Sequence, residues 1–470
     1  MHKYKVLAKM LTRQINQHQW LNGEKLPSIR ELSSKYGYSI NTVVHALREL
    51  EAQSIVEASF KRGYFVKNKV SQHQQTMTLS HDLALVKVNL PVLFYDVMAT
   101  GAAFDILPKS EQISADNAIV ALNRIINRVT RNQPNDFAMY YDQPLGEPML
   151  RQQLSLRYRH RGASITEEQF CITSGCQHAL FLSLLCTTKP GDNVAVESPA
   201  FYGVLQALEQ LNLNIIEIPS CSETGLKVDA LEEALMKWQV KVCVVTPNFA
   251  TPTGACMPIK HQLKLLALAN EYHFTIIEDD IYGDMSFSHL RSPLKALDEN
   301  SHVILCGSMS KALSKDLRIG WVVGGQFQSQ LVRLKLATSL ATSRAQQQGL
   351  AIFMSDGGYR RHLQKLMVNL AHQKQQLISA INKHLPSSVL YTNPEGGNSL
   401  WVALPETVDS HQLYLKAKAF GITLTPGQLF SVSEHYPHYL RMSFNHSMTS
   451  KRLVALKTLG ALITEVESPS

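Results

Sequence analysis

The stretch GSMSKALSKDLRIGW, residues 307–321, narrows the possible folds more than any other part of the sequence. Lys311 follows Ser308 and Ser310, and Arg318 comes seven positions later. A phosphate needs several hydrogen-bond donors and at least one fixed positive charge. Covalent capture of an aldehyde needs an amine whose pKa can be pushed down, so that a neutral nitrogen attacks. Two hydroxyls, a lysine and an arginine within eleven residues meet both demands. Taken alone, the same residues also describe an ordinary charged surface loop.

The surrounding chain favours the first reading. Apolar runs of strand length at 193–196, 242–245, 275–277 and 303–305 alternate with helical segments. That is the α/β pattern of a mainly parallel sheet. With 470 residues there is room for two or three domains and a large core. No run of eighteen apolar residues is present, so no transmembrane helix is expected, and the start of the chain lacks the apolar core of a secretory signal. The seven cysteines contain no C-x-x-C pair. Reduced thiols in a cytoplasmic protein are expected, with no metal site; Cys171 and Cys176 read as packing residues.

Charge divides the chain. The formal net charge is +8, and residues 1–70 hold twelve Lys/Arg against five Asp/Glu, so +7 of it lies there. Such asymmetry marks a candidate polyanion binder, although a solvated basic face would look the same. Apolar positions at Val6, Leu7, Met10, Leu11 and Ile15 predict a helix over 3–19. Ser28 with Glu31 is a capping box opening a second helix, which Gly37 ends. Ser39 caps a third, running to about 53, and 55–57 with 63–66 alternate like two strands around a tip at Lys61-Arg62-Gly63. Two short helices joined by a tight turn have helix-turn-helix spacing.

Two resemblances follow from these motifs. LPSIREL, SINTVVHALRELE and RGYFV resemble the winged helix-turn-helix of GntR-type regulators. The resemblance implies that the third helix enters the major groove of promoter DNA and the wing tip reaches the neighbouring minor groove. By position it assigns DNA contacts to Arg30, Ser39, Asn41, Thr42, Arg62 and Gly63, with His45 and Arg48 further along the helix. Ile40 stands where the family has an arginine, which removes one guanine-reading side chain.

The stretch around Lys311 resembles the cofactor-lysine motif of fold type I pyridoxal-phosphate (PLP) enzymes, S-x-S-K followed by L-R-x-G-W. Lys315-Asp316 stands where that family usually has Pro-Gly. The resemblance implies that Lys311 is the covalent, catalytic attachment point for PLP, with Ser308, Ser310 and Arg318 on its phosphate. Further motifs follow in the expected order. YYDQPLGEP supplies Tyr141 for the partner subunit's cofactor; TSGCQHAL supplies Ser174, Gly175, Cys176 and Gln177 as a phosphate seat at a helix N-terminus. Phe201 is implied to stack on the pyridine ring. Asp279 is implied to pair with the ring nitrogen, Asp280 being the competing carboxylate, and Tyr282 to bond the 3-hydroxyl. Thr251 stands where the family asparagine bonds that hydroxyl, and Asn248 is a candidate substitute. Arg441 in YLRMSFN would clamp a substrate or effector carboxylate.

Both resemblances together match MocR-type transcriptional regulators. They imply an α/β fold with an N-terminal winged helix-turn-helix over 1–68, a flexible linker over 69–87, and large and small aminotransferase-like domains over 88–470. They imply a head-to-tail homodimer that binds promoter DNA and senses PLP, an amine or an amino acid. A PLP-dependent aminotransferase is the competing expectation.

Overall fold

A computed structural model describes residues 3–16, 20, 23–52, 55–59, 62–66, 77, 79–90, 92–99, 117–133 and 141–467. Among these, no helix is long and apolar enough to cross a membrane.

The N-terminal domain holds the helices Lys3–Asn16, Ile29–Tyr36 and Ile40–Ala52 and the hairpin strands Val56–Ser59 and Gly63–Val66. Both halves of the capping box form: the Ser28 amide donates to Glu31 Oε2 at 2.7 Å, and the Glu31 amide donates to Ser28 Oγ at 3.3 Å. Gly37 ends that helix in the left-handed region, at φ 67°, where a Cβ is disfavoured. Leu7, Leu11, Leu32, Val43, Leu47, Leu50 and Val66 close one small core. Met10, expected on the buried face, is exposed. The segment before the second helix zips onto the hairpin through Leu26 N to Tyr64 O and Val66 N to Glu24 O, both 2.9 Å.

The large domain is built on a nine-stranded sheet. Its path runs Leu85–Lys87, Asn214–Cys221, Asn193–Ser198, Val240–Val245, Thr275–Asp279, Val303–Ser308, Gly320–Val323 and Phe170–Thr173. The four strands from Asn193 to Ser308 pair in parallel, as their continuous apolar runs predict, and so does their neighbour Asn214–Cys221, which the sequence pattern does not mark. Gly320–Val323 is antiparallel to both of its neighbours. The small domain is a four-stranded sheet containing Ser399–Ala403 and Tyr439–Ser443, with the helices Ser410–Ala419 and Ser450–Glu467.

One expected boundary needs correction. Residues 77 and 79–87, placed in a flexible linker, are docked. Leu85–Lys87 pairs antiparallel with Asn214–Cys221, the Met77 amide donates to Ser222 Oγ at 2.8 Å, and the Leu79 amide donates to Ser220 O at 3.1 Å. Met77 and Leu79 are buried. The physical reason is the sheet edge: its backbone groups need partners, and the short strand Leu-Val-Lys supplies them. Residues 67–76 and 100–116 lie outside the described part, as does Lys61 at the expected wing tip.

Candidate functional site

The carboxyl ends of the parallel strands define a crevice, the usual ligand position in such sheets. Thr275–Asp279 and Val303–Ser308 are neighbours, with Asp279 across from Cys306. Asp279 and Ser308 therefore end adjacent strands at the same side of the sheet.

Two consecutive carboxylates stand there, and their surroundings separate them. Asp280 is held by Arg161, whose Nη1 and Nη2 donate to its two oxygens at 2.5 and 2.7 Å, and by the Tyr158 hydroxyl at 2.9 Å. Both side chains of this ion pair are essentially inaccessible, at 1% and 0%. Gly283 fits only because it lacks a Cβ, which would fall 2.1 Å from both Arg161 Nη2 and Asp280 Oδ1. Asp284 is fixed in the same cluster by Arg157 at 2.5 Å and the Tyr359 hydroxyl at 2.6 Å. Burial raises its carboxyl pKa, but Arg157 and Arg161 outweigh burial and hold it below the ordinary range.

Asp279 lacks such a cationic clamp. It receives the Cys176 thiol and the Ile281 amide, each at 3.2 Å. Burial pushes its carboxyl up to about 6, against those two bonds and the nearby charge of Lys311. A buried carboxylate with an ammonium group close by is suited to holding a cationic ring nitrogen. Asp280, the competing carboxylate, is already bonded by Arg161 and Tyr158.

The residues expected to form a phosphate seat come from three segments. Ser174 and Gly175 turn into the helix Cys176–Thr187, with Gly175 at φ 95°. Arg318 Nη2 donates to Ser174 O at 2.8 Å, and a Cβ on Gly175 would lie 2.5 Å from that nitrogen. Only glycine lets the guanidinium lie against the helix N-terminus. Ser308 Oγ and Ser310 Oγ are 2.9 Å apart, and Ser308 Oγ also donates to Ile319 O at 3.0 Å. Lys315-Asp316 forms a short 3-10 turn capped by Ser314, leaving Arg318 at φ 50°. A non-glycine residue there carries strain of order 1–3 kcal/mol, supported by its surroundings. Gln177 uses its side-chain amide on Gly203 O at 2.6 Å, so its expected contribution rests on its backbone N–H.

Phe201 precedes the helix Tyr202–Gln210, and its ring centroid is 4.6 Å from that of Tyr202. Burial raises the Tyr202 hydroxyl pKa, and the charge of Arg441 opposes it. Tyr202, absent from the sequence reading, thus lies against Phe201. Arg441 is 3% exposed, on the strand Tyr439–Ser443 opposite Trp401 and Thr425. Tyr141, by contrast, is 80% exposed.

Asn248, the expected substitute for the family asparagine, is buried and has one of its side-chain N–H groups engaged. Its amide donates to Ser292 O at 2.9 Å, which holds it in the loop. Thr251 Oγ1 is buried with no hydrogen-bond partner among the described residues. An unpartnered hydroxyl, a glycine-opened helix N-terminus beside Arg318, and Asp279 within reach of the Lys311 charge suit a phosphate-bearing ring aldehyde. No group of three or more His, Cys, Asp or Glu among the described residues could hold a metal.

In the N-terminal domain, Asn41, His45 and Arg48 are exposed at helical spacing, and Val43, Ala46, Leu47 and Leu50 face the core. Ser39 caps this helix: its Oγ accepts the Thr42 amide at 3.2 Å and lies 2.8 Å from Thr42 Oγ1. Arg30 is exposed on the preceding helix. Arg62 lies over the Phe65 ring at 5.4 Å, and Gly63, at φ 108°, turns the hairpin. The DNA-contacting residues of the sequence reading thus fall on the outside of this domain.

Two family models match the chain: "Aminotransferase class I and II" over residues 109–456 and "Bacterial regulatory proteins, gntR family" over residues 3–66. An uncharacterized HTH-type transcriptional regulator of Escherichia coli K12, YdcR, is 33% identical across 99% of this chain and all of its own length. Aromatic-amino-acid aminotransferase 1 of Thermococcus litoralis is 32% identical, covering 70% of this chain and 80% of that protein. Among solved structures, Pyrococcus horikoshii kynurenine aminotransferase superposes with a TM-score of 0.72 at 28% identity, over 80% of this chain and 95% of that one.

Proposed function

Because the chain belongs to the aminotransferase class I and II family and joins that fold to a gntR-type domain, as MocR-type HTH regulators do, we propose a PLP-responsive regulator. It is a transcriptional regulator that binds DNA through its N-terminal domain. The reading of PLP as its ligand rests on one observation above all: Asp279 is buried at the end of its parallel strand, with the Cys176 thiol and the Ile281 amide both donating to one of its oxygens.

PLP, when bound, supplies an aldehyde carbon and an electron-accepting ring. The chain's residues would do the rest. Lys311 would be its covalent tether. Asp279 would hold a proton on the ring nitrogen, and Tyr282 and Thr251 would contact the 3-hydroxyl. Phe201 would cover the ring face. Ser308, Ser310, Arg318 and the N–H groups of Gly175, Cys176 and Gln177 would bind the phosphate. Arg441 would take the carboxylate of an amino-acid effector, which then competes with Lys311. Exposed Tyr141 fits a head-to-tail homodimer in which it reaches the other subunit's site.

The direct test is borohydride fixation. Wild-type protein should become covalently labelled at Lys311, and Lys311→Ala should lose labelling. Capture at another lysine, such as Lys315, would overturn the assignment. Regulation is tested by titrating operator DNA against the apo protein, the PLP form, and PLP with candidate amines at fixed salt. Coupling is reciprocal and typically about 1–3 kcal/mol, a roughly 5–150-fold shift in affinity. Equal affinity of all forms would remove the sensor reading. Lys311, Asp279, Tyr282 and Arg441 are also the set an aminotransferase needs, so a steady-state assay with amino donors and keto acids belongs beside it. Efficient turnover without specific DNA binding would favour an enzyme.

A further inference from the structure

Cys176 sits where two parts of the site meet. Its backbone opens the helix Cys176–Thr187, directly after Gly175 and beside Arg318. Its side chain runs the other way, and its thiol donates to Asp279 Oδ1 at 3.2 Å. The residue is 6% exposed, so this is no surface contact. The Ile281 amide donates to the same oxygen, also at 3.2 Å. Two donors from different segments, one 103 residues away in sequence, converge on Oδ1.

We infer that Cys176 is a positioning residue: with the Ile281 amide, its thiol ties down Asp279 Oδ1 so that Oδ2 is presented to the ring nitrogen of PLP. This rests on the reading of PLP as the ligand. A thiol is a weak donor in water. Here the alternative is a carboxylate oxygen buried with one donor fewer, and the low local dielectric makes such a loss expensive. Burial also keeps the thiol protonated, because it raises the thiol pKa well above the ordinary value, and the neighbouring carboxylates raise it further. A thiol that cannot ionise is a permanent donor. The same residue thus couples the phosphate seat, through its N–H, to the nitrogen anchor, through its S–H.

The charged and titratable groups that act on Asp279 are Lys311, Asp280, Cys176, Glu197 and Cys306. Of these, Cys176 is the only one whose hydrogen bond to Asp279 is seen among the described residues. Removing that bond raises the Asp279 carboxyl above about 6, so the ionised form that binds a cationic ring is lost at a higher pH.

The test uses full-length apo protein and PLP itself, titrated by absorbance from pH 5.5 to 8.5. Cys176→Ala and Cys176→Val lack the donor, whereas Cys176→Ser keeps one. Each donor-free variant should weaken PLP binding roughly 10-fold at pH 7, within the range for a hydrogen bond to a charged group. The pH below which affinity falls should also move upward. Cys176→Ser should bind within about 3-fold of wild type, with an unshifted profile. A donor-free variant matching wild type in both affinity and profile would overturn the inference. So would a serine variant as impaired as alanine, since shape rather than the donor would then matter. Wild-type protein that neither binds PLP nor is fixed by borohydride would remove the underlying reading as well, which separates the two failures.

Discussion

In the N-terminal domain the buried residues are apolar and the charges lie outside; in the large domain one cluster of charges is inside. Arg30, Asn41, His45, Arg48 and Arg62 are exposed around a core of Leu, Ile and Val. Arg157, Arg161, Glu197, Asp279, Asp280 and Asp284 are nearly or wholly enclosed. A polyanion is bound by many separate contacts in water, each screened by salt and each removable alone. A small ring is bound by few groups whose charges depend on one another in a low dielectric. Substitutions should therefore be local and roughly additive in the first domain, and coupled in the second.

The largest effect should come from Arg161→Ala. It strands Asp280, and breaking a buried ion pair from one side costs about 3–5 kcal/mol. Urea denaturation of the apo protein measures it; a loss under about 1 kcal/mol would show that the enclosed charges are not interdependent. Glu197 comes next. Burial pushes its carboxyl up to about 8, although it accepts the Thr246 amide at 3.0 Å. Because the folded value lies above the ordinary 4.5, its contribution is complete below pH 4.5 and is lost as pH rises through about 8. Glu197→Gln should accordingly melt higher than wild type at pH 8.5 and alike at pH 4.5, a difference read by calorimetry.

Smaller effects belong to the DNA-binding face. Arg30→Ala should cost about 1–3 kcal/mol in operator binding if it reads a base, or lower the salt slope of log K by about 1 if it meets a phosphate. Its effect and that of Arg62→Ala should add, and strong non-additivity in gel-shift titrations would break the contrast with the large domain. Ser39→Ala should remove the helix cap at about 1 kcal/mol of stability. Substituting Lys315, whose 2.6 Å pair with Asp316 is highly exposed, should leave the melting temperature unchanged.

Much of this was legible in the sequence where the signal is local. The Ser28–Glu31 box, the Ser39 cap and the Ser308–Lys311–Arg318 spacing each span a few residues, and apolar runs located four of the parallel strands but not Asn214–Cys221, which carries Glu217 and Pro219. What escaped depends on residues far apart. Arg161 meets Asp280 across 119 positions, so nothing near Asp280 announces that it is occupied. Cys176 reads as packing until Asp279 is beside it. The bond from Asn248 to Ser292 O spans 44 positions and leaves no local trace either. The docked segment from Met77 was hidden for a different reason: an edge strand gains from backbone pairing, which leaves a weaker trace in side-chain pattern than burial does.

That docked segment bears on how the protein can be divided. Cutting at residue 88, where the composition changes, would strip Leu85–Lys87 from the strand Asn214–Cys221 and uncover Met77 and Leu79's seat beside Ser220 and Ser222. The fragment would carry a naked β-edge, ready to pair with a second copy of itself. Aggregation of such a fragment would then say little about whether the large domain folds alone. A cut between Val66 and Met77 keeps the edge covered and leaves each half with its own hydrophobic core.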